Sequence, residues 1–238
     1  MKLLFIIHNI ANCGAERVLA ILVNELACRG HNVYVLTQPS KVTYQLDSRV
    51  VLLDAYEGTY TYTDVNKFKK FWYGIANGWT YYKNIKKHVE LINPDGVISF
   101  LGLFIWQLLA FRKKYKIVIS DHTAMDRRIS RKRDFERHYL PKLFYKYAVL
   151  TESDKNYLVG KIDNVVVMNN PLTFKPISRA EYDFLFGSRN DILVCASVDR
   201  YKVKGIDTLI KSFSIIANKY PEWHIDVAGE GSEENVEK

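Results

Sequence analysis

The sequence has few cysteines and no long apolar segment. Cys13, Cys28 and Cys195 are odd in number, far apart and never in CxxC spacing, which indicates free thiols in a reducing compartment. No segment reaches the roughly 18 uncharged apolar residues that a membrane span requires. The first apolar run, residues 2–8, is too short for a signal peptide and is interpreted as a strand.

Acidic residues are scarce in one part of the chain. Positions 112–146 contain twelve Lys or Arg residues but only four Asp or Glu residues. This excess of eight basic residues equals the formal net charge of the whole chain, which is +8. Such a localised positive charge predicts a polyanionic surface as partner.

The first three dozen residues predict a strand, a turn, a helix and a second strand. Residues 2–8 and 32–37 are apolar runs of strand length, and residues 18–26 place apolar side chains at the three- and four-residue spacing of one helix face. This βαβ pattern predicts parallel strands with helices on both faces of the sheet. Its loop and helix N-terminus lie at the carboxyl end of the first strand, where open α/β sheets bind ligands.

Strands and helices alternate as far as residue 170, which predicts a Rossmann-like domain over residues 1–172. Helices are expected at 65–92, 102–111 and 152–159. Residues 173–190 are weakly patterned and are interpreted as a linker. Residues 191–238 then repeat the opening strand, helix and strand, so they predict the start of a second Rossmann-like domain. Because one βαβ unit cannot cover its own sheet, this second domain is expected to be incomplete.

Two loops after predicted strands are candidates for binding a phosphate-containing ligand. Arg200, Lys202 and Lys204 precede Gly205 at a predicted helix start, where basic side chains and backbone N–H groups converge on one point, which suits a phosphate. A solvated basic loop is the alternative. Gly229 and Gly231 either let a ligand approach the backbone or form a turn.

Two further candidates lie in the first domain. Gly14 fits either a ligand loop or a tight strand-to-helix turn. His122 follows a buried strand in a polar loop and faces the predicted crevice, although a single histidine is more often structural than catalytic.

Six stretches of the sequence resemble glycosyltransferase family 4, whose members have the GT-B fold. They are CGAERVLAILVNELACRGHNVYVLT, NPDGVISF, SDHT, LTESDKNYL, VVVMNNPL and KGIDTLIKSFSIIANKYPEWHIDVAGEGSEEN. The resemblance implies a retaining transfer of a sugar from a nucleotide diphosphate sugar to a glycan or lipid-linked acceptor in cell-surface polysaccharide biosynthesis. It implies no obligatory metal, no other cofactor and no nucleic-acid partner, with the acceptor on the side of the N-terminal domain.

The resemblance also implies roles for the candidate residues. His122 would be catalytic and reach toward the transferred sugar, and Gly14 would lie near the donor phosphates. Lys204 would bind the diphosphate and neutralise charge on the departing nucleotide. The family's arginine position falls on Ser197, so Arg200 is the candidate replacement. The residues that would line the nucleotide side are Gly229 and Gly231.

The resemblance places the family's pair of glutamates that holds the donor ribose and sugar, spaced E-x7-E, further along the second domain, beyond residue 238. We therefore expect the chain to be a fragment or a truncated product with little or no transferase activity alone. The expected location is the cytoplasm, with peripheral association at the inner face of the plasma membrane as an open possibility.

The basic segment and the aromatic residues after position 56 suggest a contact with an anionic membrane. Basic side chains would meet lipid phosphates while aromatic rings lie at the interface. The alternative is a solvated helix face and an ordinary buried aromatic core. The predicted contact extends over residues 127–137 and residues 67–72, and its members are Arg127, Arg128, Arg131, Lys132, Arg133, Phe68 and Trp72.

Three other functions remain open at this point. A UDP-sugar 2-epimerase would share the fold and the nucleotide crevice. A non-catalytic module that binds nucleic acid or membrane would use the basic segment, although no recognised nucleic-acid motif accompanies it. A degenerate remnant would have no activity.

Overall fold

The computed structural model describes residues 1–11, 13–61, 63, 66–125, 130–172, 176–186 and 190–232. The chain divides into two compact units, Met1–Thr173 and Phe174–Lys238. Within the described ranges, all three cysteines are free thiols, as predicted. No helix in those ranges combines the length and apolar character needed to cross a membrane.

The first unit contains a seven-stranded sheet in which every neighbouring pair is parallel. The strand order is β3-β2-β1-β4-β5-β6-β7, so the chain reverses direction across the sheet between β1 and β4. Ligands bind at the carboxyl ends of strands that flank such a reversal. The bounds are Lys2–Ile6 (β1), Asn32–Thr37 (β2), Val51–Asp54 (β3), Gly96–Phe100 (β4), Ile117–Ser120 (β5), Lys146–Val149 (β6) and Val165–Val167 (β7).

Helices cover both faces of this sheet, and two apolar clusters fill the space between. One cluster packs α1 against β1 and β2, and the other extends from α2 to β6 and α5. The helix bounds are Gly14–Cys28 (α1), Lys67–Ile92 (α2), Ile105–Leu108 (α3), Arg131–His138 (α4) and Glu152–Leu158 (α5).

The helix α2 runs without a break for 26 residues. The side chain of Asn66 caps its N-terminus by accepting a hydrogen bond from the Lys69 amide, and Asn93 ends it in the left-handed conformation. Gly74 and Gly78 lie within it, although a glycine inside a helix costs about 1 kcal/mol relative to alanine.

The helix predicted at 102–111 is largely absent, since only Ile105–Leu108 is helical. Leu101, Gly102 and Phe104 have positive φ angles of 56°, 60° and 56°. A right-handed helix cannot include left-handed residues, so the helix cannot begin before Ile105.

The second unit contains a two-stranded parallel sheet of Asp191–Cys195 (β8) and His224–Ala228 (β9). It also contains helices Arg179–Phe186 (α6), Tyr201–Lys204 (α7) and Ile206–Ile216 (α8). The helix α6 was not predicted, because residues 173–190 were interpreted as a linker. A capping box could have revealed it: the Ser178 hydroxyl accepts from the Glu181 amide, and the Glu181 carboxylate accepts from the Ser178 amide.

Candidate functional site

A pocket lies at the carboxyl ends of β1 and β4, where the strand order reverses. Its volume is about 450 Å³, which is within the usual range for small-molecule sites. It belongs entirely to the first unit. Its walls come from β1, α2, the β4–α3 connection and α4, and the lining residues used below are His8, Gly78, Tyr81, Trp106, Arg133 and Glu136.

The β4–α3 connection forms one wall of this pocket in an unusual backbone conformation. Leu101 and Phe104 are non-glycine residues with φ angles of 56°, and both line the pocket. Such conformations cost on the order of 1–3 kcal/mol each and occur preferentially at functional sites. The strained connection therefore marks this edge of the sheet as a candidate site.

The helix α4 fixes that connection through polar contacts. Arg133 donates a short hydrogen bond to the Leu101 carbonyl, and Trp106 donates from its indole nitrogen to the Glu136 carboxylate at 2.6 Å. Glu136 also lies 3.7 Å from the Arg133 guanidinium and 3.9 Å from the Lys132 ammonium. Arg133 and Lys132, predicted as membrane contacts, thus line the pocket.

His122 lies directly after β5, at the same edge of the sheet. Its ring stacks on Phe100 with centroids 4.7 Å apart, and its Nε2 atom is 3.1 Å from the Ser120 hydroxyl. Burial lowers the pKa of His122, while Asp121 and Asn170 oppose that shift. The imidazole is therefore neutral near pH 7, and a neutral ring can donate one hydrogen bond and accept another.

The loop that carries His122 is anchored by a buried ion pair. Arg137 Nε donates to Asp121 Oδ2 at 2.6 Å, and both side chains are only 3% exposed. The Tyr147 hydroxyl donates to the same carboxylate at 3.1 Å, and Arg137 also donates to the carbonyl of Thr123 at 2.5 Å. Arg137 was placed in the predicted membrane contact at residues 127–137. That placement is wrong, because a buried guanidinium paired with Asp121 cannot reach a lipid surface.

The remaining residues of the predicted membrane contact are exposed where the structure describes them. Phe68 and Trp72 are 71% and 53% exposed, so they do not belong to a buried aromatic core. Arg131 is exposed at the first position of α4. Arg127 and Arg128 lie outside the described residues.

The glycine loop before α1 has an acidic first turn. Cys13 is the N-cap and Gly14 is the first residue of α1, with no atom within 4 Å of the position that a Cβ would occupy. Glu16 accepts hydrogen bonds from the Ala11 amide at 2.7 Å and from the Cys13 amide at 3.3 Å. Two amides at this helix terminus are thus already satisfied by a carboxylate.

The candidate phosphate loop of the second unit is more ordered than predicted. Residues Val198–Arg200 form a 3₁₀ turn that continues into α7, and Gly205 joins α7 to α8 with a φ of 73°. Lys204 and Arg200 are exposed, and neither side chain is in an ion pair with another described residue.

Gly229 and Gly231 bring the loops after β8 and β9 together. A Cβ on Gly229 would overlap the carbonyl of Ala196, and one on Gly231 would lie 2.7 Å from Val198 Cβ. The same loops are joined by a hydrogen bond from the Val198 amide to the Glu230 carbonyl at 2.9 Å. Close packing of these two loops accounts for both glycines; a ligand contact for either stays a prediction.

A separate group of side chains in the second unit could hold a cation. Asp191, His224 and Asp226 each place one ligand atom within 4.8 Å of the others, and nitrogen and oxygen donors of this kind suit several divalent metals. They lie at the amino ends of β8 and β9, away from Lys204. His224 and Asp226 are exposed, and we assign the group no role.

Acid is expected to destabilise the protein through three histidines whose pKa is lowered in the folded state. Burial lowers the pKa of His8, His88 and His122, so the folded chain binds fewer protons than the unfolded chain near pH 6.5. This contribution to the free energy of unfolding is fully present above pH 6.5. It is lost as the pH falls through the lowered pKa values of the three histidines in the folded chain. Thermal melts between pH 7.5 and pH 5 should show it, and His122→Gln should reduce the slope. Equal slopes for the two proteins would contradict the assignment to His122.

The fold defines the class of protein. A seven-stranded parallel sheet in the first unit and a β-α-β arrangement of β8, α8 and β9 in the second are of the predicted GT-B type, with an N-terminal Rossmann-like domain and a βαβ unit of a second such domain. The family model of Glycosyltransferase Family 4 matches residues 13–171. The chain belongs to that family.

Relatives and solved structures agree with this class. An uncharacterized glycosyltransferase of Haemophilus influenzae is 25% identical over 240 residues, which cover 98% of this chain and 63% of the relative. An α-1,4-N-acetyl-D-galactosaminyltransferase of Campylobacter jejuni that acts on a diphospho-undecaprenol-linked glycan is 25% identical over 216 residues, or 85% of this chain and 54% of the relative. The structure of sucrose-phosphate synthase from Thermosynechococcus elongatus superposes with a TM-score of 0.68 at 15% identity, covering 98% and 63%. The chain thus spans less than two thirds of the curated relatives it matches.

Proposed function

We propose that the chain is part of a retaining glycosyltransferase that moves a sugar from a nucleotide diphosphate sugar to a glycan or lipid-linked acceptor in cell-surface polysaccharide biosynthesis. The observation that carries the proposal is the family match over residues 13–171, which includes the His122 loop and the glycine loop before α1. The two relatives described above are both named as glycosyltransferases.

The proposed roles follow from position and charge. His122 lies at the carboxyl edge of the sheet and approaches the transferred sugar as a neutral hydrogen-bonding group. Lys204 and Arg200 bind the diphosphate and stabilise the negative charge that develops on the leaving nucleotide. Gly14 leaves open space beside the start of α1, where a donor group can approach the backbone.

Product analysis tests this function against the epimerase alternative. The whole protein to which these residues belong is incubated with labelled UDP-N-acetylglucosamine, UDP-galactose or GDP-mannose and a set of alkyl glycoside acceptors, and the 238-residue chain, which is expected to have little or no transferase activity alone, is assayed beside it. The proposal expects label in a glycoside product with the anomeric configuration of the donor. Conversion of the nucleotide sugar to its 2-epimer would favour the epimerase.

We further propose that α2 carries a contact surface for an anionic membrane, from which a lipid-linked acceptor is reached. An exposed apolar ridge runs along one face of α2 and consists of Phe68, Phe71, Trp72, Ile75 and Trp79. Exposed lysines flank it at positions 67, 69, 70 and 83, and Lys83 lies 5.6 Å from the Trp79 ring. Apolar side chains between basic ones are typical of surfaces that bind anionic lipids.

Removing part of the ridge should weaken vesicle binding. Burying one large apolar side chain contributes about 1.5–3 kcal/mol, so Phe68→Ser with Trp72→Ser should reduce the partition coefficient roughly tenfold or more. Co-sedimentation with phosphatidylglycerol-containing vesicles measures this, and binding should fall with added salt. Leu91→Ser is the control, since Leu91 is an exposed apolar residue of α2 outside the ridge. Vesicle binding that depends neither on the anionic lipid content nor on the two substitutions would refute the membrane contact.

A further inference from the structure

The pocket between α2, the β4–α3 connection and α4 has a wall without side chains. Gly78 lies in the middle of α2, and the nearest atom to a Cβ placed there is Gln107 Nε2 at 3.8 Å. Gly74, four residues earlier, lines the pocket on the same side. Each glycine costs the helix about 1 kcal/mol relative to alanine. In return, no side chain from these two positions fills the pocket.

The charged lining residues are the cations Lys132 and Arg133 and the carboxylate of Glu136, so one net positive charge is left among them. The Arg133 and Lys132 cations lie within 4.0 Å of the Glu136 carboxylate. Burial and the nearby Lys41 lower the pKa of His8, so its imidazole is neutral near pH 7. A site for a phosphate would carry an uncompensated cluster of cations, and this pocket has none among its described lining residues.

The remaining lining groups suit a polyhydroxyl ligand. Arg133 and the Gln107 amide provide donors, the Glu136 carboxylate provides an acceptor, and the rings of Tyr81 and Trp106 provide apolar surface. Pockets that combine aromatic walls with a few fixed polar groups select small ligands by shape and hydrogen bonding. Trp106 is held in place by its hydrogen bond to Glu136.

We propose that Gly78 is a specificity-determining residue of this pocket, and that the space left by its missing side chain sets the size of the neutral saccharide the pocket admits. The assignment rests on the proposed glycosyltransferase function. With this assignment, Lys132 and Arg133 line a saccharide site.

Saturation-transfer difference NMR on the 238-residue chain tests the proposal. The probes are methyl glycosides of glucose, galactose, N-acetylglucosamine and N-acetylgalactosamine. At least one should receive saturation at its ring protons. Gly78→Leu should reduce that signal tenfold or more, because the leucine side chain occupies the pocket. Leucine is also the better helix former, so this variant should melt at the same temperature or higher.

Matched variants distinguish saccharide binding in the pocket from binding elsewhere on the surface. Trp106→Ala should also abolish the signal, whereas Glu90→Leu, at an exposed position elsewhere on α2, should not change it. No saturation of any glycoside, unchanged binding in both pocket variants, or displacement of the glycoside by inorganic pyrophosphate would overturn the proposal.

A UDP titration of the same samples distinguishes failure of the saccharide pocket from failure of the proposed glycosyltransferase function. Binding of UDP without any glycoside would refute the saccharide pocket and leave the proposed transferase standing. Binding of a glycoside without any nucleotide diphosphate would support the pocket and refute the proposed donor.

Discussion

Replacing Arg137 with leucine should destabilise the first unit by about 3–5 kcal/mol, because it leaves the Asp121 carboxylate buried without its partner. The Thr123 carbonyl also loses a donor. The effect should reach the candidate site, since these contacts hold the loop that carries His122. Urea unfolding of the chain measures the change in free energy.

An exposed ion pair of similar length provides the control. Arg29 and Glu25 are 2.8 Å apart, but the Arg29 side chain is 68% exposed. Exposed pairs contribute about 0–1 kcal/mol, so Arg29→Leu should have little effect. The double variant Arg137→Leu with Asp121→Leu should recover part of the loss, because no charge is then left buried without a partner. Similar losses in the two single variants would show that the buried pair does not anchor this loop.

Replacing Gly229 with alanine should disrupt the second unit. The added Cβ would overlap the Ala196 carbonyl, which is backbone and cannot move aside without separating the loops after β8 and β9. Overpacking of this kind typically costs about 1–3 kcal/mol. Hydrogen exchange followed by mass spectrometry should show faster exchange of the amides in β8 and β9. A loss of about 3 kcal/mol in local stability corresponds to exchange roughly a hundredfold faster.

Two measurements keep this prediction specific. Gly14→Ala places a Cβ in open space and should leave exchange in α1 unchanged. Exchange in the first unit should also stay unchanged in the Gly229→Ala variant. Normal protection of β8 and β9 in that variant would contradict the close approach of the two loops.

The alternation of apolar runs and helical patterns was sufficient to predict the fold. β1 and β2 lie close to the apolar runs at 2–8 and 32–37, because parallel strands are buried on both faces and form continuous apolar runs. The helix α6 was missed because its apolar pattern is weak, although its capping box was visible in the sequence at Ser178 and Glu181.

The pocket could not be predicted, because it depends on backbone conformation and tertiary contacts. Nothing local marks Leu101 and Phe104 as left-handed residues, since neither is Gly, Asn or Asp. The net charge of positions 112–146 also does not distinguish exposed basic residues from buried ones. Arg137 pairs with Asp121, sixteen positions earlier, and Arg133 binds the Leu101 carbonyl, so part of that positive charge serves the interior of the first unit.

The central claim is that the loop from Ser197 to Gly205 binds the diphosphate of a nucleotide sugar. Titration calorimetry of the chain with UDP and GDP, and with uridine and guanosine as controls, tests it most directly. At least one diphosphate should bind more tightly than its nucleoside, and Lys204→Gln should weaken that binding by about 10- to 100-fold, as expected for the loss of a hydrogen bond between charged groups. Lys219→Gln, at an exposed lysine outside this loop, should leave the affinity unchanged. Equal affinity for nucleoside and diphosphate, or a diphosphate affinity that does not depend on Lys204, would contradict the claim.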